Sequence, residues 1–137
     1  MITVTGFDHV VITVVDVRRT LDFYTRALGM RAEEFKPNRF ALHFGNQKIN
    51  LQVPTEIATQ MADGRIGNIA THPTPGSADL CFITDAEPEA VLSHLRSLGI
   101  EAITGVVERK GARGSIWSVY CRDPDGNLIE IANYPKG

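Results

Sequence analysis

Residues 7–14 are dense in Val and Ile, whose branched side chains favour an extended strand. Asp16 follows as a candidate N-cap, and Val17, Leu21, Tyr24 and Leu28 then recur at the spacing of one helical face. Gly29 stands where a left-handed residue closes such a helix. Short strand patterns run over residues 30–35, 39–44 and 47–53, separated by the turn pairs Pro37-Asn38 and Gly45-Asn46. This half reads β-α-β-β-β.

The same order returns further along. Residues 78–84 read as a strand, Pro88 suits the first turn of a helix, Val91, Leu95 and Leu98 form its apolar stripe, and Gly99 closes it. Strand patterns follow at 101–107, 115–121 and 127–132, the last two joined by Asp123-Pro124-Asp125-Gly126. An offset of 70 maps His9 onto Asp79, Leu21 onto Val91 and Gly29 onto Gly99; by the last strand an offset of 78 pairs Leu51 with Ile129 and Gln52 with Glu130. The growth in offset fits an insertion in a loop at 108–114. Strand, stripe, terminator and final strand together argue for an internal duplication. The expectation is one α+β domain of two tandem βαβββ modules, at about 5–53 and 78–134, joined by a connecting loop at 54–77 that shows no clear periodicity.

Length and composition agree with one self-sufficient core: 137 residues, 43% hydrophobic and 22% charged, which excludes general disorder. A formal net charge of −2 leaves no electrostatic footprint for nucleic acid or an anionic membrane. No apolar run reaches the length of a membrane span, and the N-terminal stretch lacks a basic region and carries Asp8. Two cysteines, Cys81 and Cys121, are too few for a disulfide framework and read as reduced thiols of a cytoplasmic protein.

Strand alternation puts His9, Val11 and Thr13 on one face, with Lys48, Asn50 and Gln52, Asp79 and Cys81, and Leu128 and Glu130 on the corresponding faces. His9 alone reads as an ordinary half-exposed histidine, and Glu130 alone as an edge residue. Together, His9, Gln52, Asp79 and Glu130 recur in the first and last strands of each module, and their imidazole, amide and carboxylate donors suit a divalent ion such as Mn, Ni, Fe, Zn or Mg. His72 in the connecting loop, Arg113 beside Arg109 and Lys110, Trp117, and His43 are candidate substrate contacts, each with a plain structural alternative: a surface histidine, a solvated basic loop, a packed aromatic, a strand polar residue. Trp117 and Tyr120 fall on opposite faces of one strand, so at most one lines a cavity. No nucleophile elbow or nucleophile–base pair is visible.

The opening FDHVVITVVDVRRTLDFYTRALGM, the duplication and the closing DPDGNLIEIANY resemble the vicinal oxygen chelate superfamily of glyoxalases, extradiol dioxygenases, fosfomycin-resistance enzymes and bleomycin-binding proteins. HPTPGSADLCFIT and GARGSIWSVYCRDPDGNLIEI are most similar to its glyoxalase-domain-containing, virulence-protein-like subfamily. The resemblance implies curved sheets forming a cup, with metal ligands from the first and fourth strands of each module. His9 and Glu130 match the ligand positions in residue type; Gln52 and Asp79 stand where relatives carry a carboxylate or histidine. It further implies a metal-dependent enzyme of glyoxalase type that chelates vicinal oxygens of a small substrate and stabilises an enediolate-type oxyanion, with Glu130 shuttling the proton. Dioxygenase chemistry is less expected, because it wants a second imidazole. The alternative is a metal-free small-molecule binding protein of the bleomycin-resistance type. A homodimer is expected from the resemblance alone.

Overall fold

Asp16 caps the first helix as its place in the sequence predicts: its carboxylate accepts the Arg19 N–H at 3.1 Å. Gly29 ends it in the left-handed region (φ 64°), its N–H donating to the Tyr24 carbonyl. The computed structural model that shows this describes residues 1–62 and 69–136, and the chain divides into two compact units, Met1–Gly76 and Ser77–Gly137.

The first unit comprises β1 (His9–Thr13), α1 (Val17–Leu28), β2 (Arg31–Lys36), β3 (Arg39–Phe44), β4 (Gln47–Gln52) and α2 (Pro54–Ala62). Its sheet is ordered β1-β4-β3-β2, with β1 parallel to β4 and the other pairs antiparallel. Ile12, Leu42, Ile49 and Leu51 share one face and are all buried, and α1 lies against β2 and β3. The second unit comprises β5 (Asp79–Ile83), α3 (Pro88–Ser97), β6 (Val107–Gly111), β7 (Gly114–Arg122) and β8 (Leu128–Asn133), ordered β5-β8-β7-β6, with α3 against β7 and β8. Val119, Cys121, Ile129 and Ile131 form its buried apolar face. The fold is therefore α+β, two four-stranded mixed sheets of identical strand order, neither closed.

Two expectations fail. Residues 101–106 are not a strand, and the basic stretch expected to be a loop at 108–114 contains β6 and a two-residue hairpin turn at Ala112-Arg113. Gly114 at φ 128° supplies the backbone that closes this turn. Glu108, Arg109 and Lys110 hide the strand signal because β6 is an edge strand, where charge is tolerated and discourages edge pairing. The length difference between the halves lies before β6 instead: residues 98–106 join α3 to it, whereas residues 29–30 suffice in the first unit. Second, the connection at 54–77 holds α2, opened by Pro54 and anchored by buried Ile57. Residues 63–68 of that connection lie outside the described residues. Among the described residues no helix is long and apolar enough to cross a membrane.

Candidate functional site

Residues paired across a ladder project from the same side of a sheet. In the first unit the pairs His9↔Lys48, Lys48↔His43 and His43↔Arg31 make one continuous row across all four strands, on the face opposite the buried core residues. The next row is Val11, Asn50, Ala41 and Glu33. In the second unit Cys81, Glu130 and Tyr120 form a row, again opposite the buried apolar face.

His9 is held from one side. Its Nδ1 lies 2.7 Å from Asp8 Oδ1, and the imidazole draws the Asp8 carboxyl below its usual range through this hydrogen bond and its charge. With Nδ1 turned to a carboxylate, Nε2 is the ring nitrogen directed away from it, the arrangement by which a neighbouring carboxylate fixes ring orientation in metal-binding histidines. Neither Asp8 nor its role is visible in a ligand-type pattern, though its adjacency to His9 was there to be read. His43 is similarly tied, its Nε2 lying 3.0 Å from Glu33 Oε1, and this bond lowers the Glu33 carboxyl. His43 lies one strand from Lys48 on the His9 face, as its alternation predicted.

Glu130 sits among donors. Ser118 Oγ donates to its Oε2 at 2.6 Å, and Arg109 Nε donates to the Tyr120 hydroxyl at 3.2 Å. Burial first, then the charge of Glu130, pushes the Cys81 thiol up to about 11. Burial also raises the Tyr120 phenol, against the pull of Arg109. Cys81 is thus a neutral thiol at physiological pH, not an activated nucleophile.

The ladders revise one equivalence. β1 and β5 match residue for residue, beginning at His9 and Asp79, and pair first with Lys48 and Leu128 respectively. Val11 pairs with Asn50 as Cys81 pairs with Glu130, so Asn50, and not Gln52, is the counterpart of Glu130. Gln52 matches Ala132; it is buried, and its Nε2 donates to Thr13 Oγ1 at 3.2 Å within its own unit. Asn50 Oδ1 is buried with no hydrogen-bond partner, a costly state for an amide oxygen that no nearby group satisfies. A sequence signal existed: Ile49-Asn50-Leu51 and Ile129-Glu130-Ile131 match as apolar–polar–apolar triplets.

Other candidates are placed elsewhere. Trp117 pairs with Asn133 and shares the face of Val119 and Cys121, so it points away from the Glu130 row, while Tyr120 joins that row. Strand alternation thus places Tyr120, and not Trp117, on the face of Glu130. Arg113 has its guanidinium 4.2 Å over the Tyr134 ring, and its backbone N–H donates to the Tyr134 hydroxyl at 2.9 Å. His72 is exposed in the segment leading to β5, and Asp79 is exposed at the start of β5. Among the described residues no cluster of three or more His, Cys, Asp and Glu side chains is assembled as for a metal ion.

The duplicated sheets agree with what known proteins show. Residues 6–131 match the Glyoxalase/Bleomycin resistance protein/Dioxygenase superfamily. Virulence protein STM3117 of Salmonella typhimurium is 51% identical over 128 residues, covering 93% of this chain and 83% of that protein. Its crystal structure superposes with a TM-score of 0.88 at 47% identity, over 98% of this chain and 100% of that one. Glyoxalase domain-containing protein RDO1 of Mycosarcoma maydis is 45% identical over 134 residues, 97% of this chain and 70% of that protein. With the match spanning both ladders and both helical stripes, the chain belongs to the glyoxalase/bleomycin resistance protein/dioxygenase superfamily, also called the vicinal oxygen chelate superfamily.

Proposed function

We propose that the protein is a metal-dependent enzyme of glyoxalase type, acting on a small substrate with vicinal oxygens. The observation that carries this reading is the Asp8–His9 pair, which leaves Nε2 of an exposed imidazole available beside a carboxylate that orients it. Two further features fit an ion. Glu130 is a carboxylate held by Ser118, with the neutral Cys81 thiol and Tyr120 phenol beside it, and Asn50 offers an unsatisfied amide oxygen at the equivalent ladder position. His9 and Glu130 would hold the ion, with Asn50 and Asp79 as further oxygen donors, whether these come from one chain or from two copies in a homodimer. A bound divalent ion such as Mn, Ni, Fe, Zn or Mg supplies a Lewis acid for an enediolate-type oxyanion. The Glu130 carboxylate is the base that moves a proton between adjacent substrate carbons, and the hydroxyl of Ser118 orients it.

A metal-free small-molecule binding protein of the bleomycin-resistance type is the second reading. Metal analysis of protein purified without chelator separates the two. Stoichiometric divalent metal, lost in both His9→Ala and Glu130→Ala, is the expected result. Metal-free protein whose small-molecule binding is indifferent to EDTA would establish the second reading.

A further inference from the structure

Lys48 sits at the centre of the row His9, Lys48, His43 and Arg31. It stands on β4, an interior strand, and is half-buried. A lysine so placed normally has a carboxylate beside it, because an ammonium that loses water without a partner is costly. Here Nζ lies 4.8 Å from the centroid of the Phe35 ring instead, and among the described residues no carboxylate is within ion-pair distance of it. The two nearest carboxylates on this face are committed: Asp8 to His9 and Glu33 to His43. Arg39, the other cation over Phe35, is held by Glu56 at 2.7 Å. The row therefore presents an ammonium with no direct ion pair, within the field of Asp8 and Glu33 but in contact with neither, steadied by an aromatic ring, two residues in register from the unsatisfied oxygen of Asn50 and directly beside His9.

We propose that Lys48 anchors an anionic oxygen-bearing group of the substrate, a carboxylate or phosphoryl group, over the His9 face. The substrate class is then an anionic vicinal-oxygen compound and not a neutral one. This rests on the reading that the His9 face is the functional one. Lys48 supplies the charge, and the Phe35 ring limits the directions in which Nζ can swing.

The test titrates inorganic phosphate and, separately, acetate at fixed pH against the metal-free protein, following the imidazole nitrogen resonances of His9 and His43 by NMR. At least one anion is expected to shift both, and which of them binds tighter separates a phosphoryl from a carboxylate substrate. Lys48→Met is expected to weaken that binding about tenfold or more. Lys48→Arg, which keeps the charge, should keep it within about threefold, and Lys110→Met, a lysine on the opposite face of the other sheet, should change nothing. Anion binding that survives Lys48→Met undiminished, or that leaves both imidazoles unmoved, overturns the proposal. Mn(II) binding by electron paramagnetic resonance is measured on the same samples. Wild-type protein that binds the anion through Lys48 but takes up no Mn(II) refutes the metal reading while the anchor stands; Mn(II) uptake with no anion response does the reverse.

Discussion

Ser118 donates to Glu130 Oε2 at 2.6 Å from a neighbouring strand, and Ser118 itself is fully buried. The bond is short because its acceptor is a carboxylate, and burial removes the water that would otherwise compete. It therefore fixes the orientation of the Glu130 carboxylate. Ser118→Ala is expected to destabilise the fold by about 1.5–3 kcal/mol, as for loss of a hydrogen bond to a charged group. If Glu130 ligates an ion, the same change should weaken metal affinity by about ten- to a hundredfold, as for other residues that orient a ligand. Denaturant titration and metal competition read the two effects separately. A Ser118→Ala protein as stable as wild type would show that water replaces the hydroxyl.

Asn50 and Gln52 give opposite forecasts. Asn50→Asp puts a second carboxylate at the ladder position matching Glu130 and is expected to tighten Mn(II) or Ni(II) binding, measured by calorimetry. Gln52→Leu is expected to leave metal binding unchanged and to cost about 1 kcal/mol for the lost bond to Thr13. No tightening in Asn50→Asp, with metal loss in Gln52→Leu, would restore the equivalence read from the sequence. That reading slipped by two residues, and the reason is physical. A strand's side chains repeat every second residue, so a two-residue slip keeps every side chain on its own face and leaves the apolar pattern intact. The faces of His9, Gln52, Asp79 and Glu130 were therefore legible in the sequence, while their register was not. Ladder pairing fixes register, and it is set by where β1 meets β4, a contact between segments far apart in the chain.

Cys121 gives a pH prediction. Burial, and next the charge of Asp123, pushes its thiol up to about 11 from the usual 9.0. Below pH 9 the thiol is protonated in both folded and unfolded chains, and its contribution to stability is fully present. Between pH 9 and about 11 the unfolded chain releases this proton and the folded one does not, so stability falls as pH rises through that window. Urea midpoints measured from pH 8 to 11 are expected to decline, and Cys121→Ala should flatten the decline while lowering stability at every pH through the lost buried volume. An equally steep decline in Cys121→Ala would assign the alkaline loss to other groups.

Local chemistry explains where the fold was readable. The first helix announced itself through Asp16, the Val17–Leu28 stripe and Gly29, all local signals. Among the described side chains of helix α2, Ile57 is the buried anchor while Met61 is exposed, so the helix shows no apolar stripe. The 101–106 stretch looks apolar enough for a strand, yet Ile103 is exposed and its N–H bonds to the Tyr120 carbonyl at 2.9 Å. Composition gave the propensity there, but no partner strand runs alongside to make a ladder.

The basic hairpin that carries Arg113 is fastened to Tyr134 of the C-terminal segment. Gly111 lets this happen: a Cβ there would collide with the Tyr134 hydroxyl and press on Ile116 Cγ2 at 3.1 Å. The tyrosine hydroxyl occupies that space, accepts the Arg113 N–H and supports the guanidinium on its ring. Gly111→Ala is therefore expected to expel Tyr134 and destabilise the protein by about 1–3 kcal/mol, as for overpacking at a close contact. Arg113→Met should cost less, about 0.5–1 kcal/mol, since it removes only an exposed cation–ring contact. Neither change should alter phosphate, acetate or Mn(II) binding, because the face of Glu130 and the row of Lys48 are untouched by this clamp. Thermal denaturation with ligand titration on both variants checks the pair of statements: a drop in anion affinity in Arg113→Met with unchanged stability would return Arg113 to the substrate.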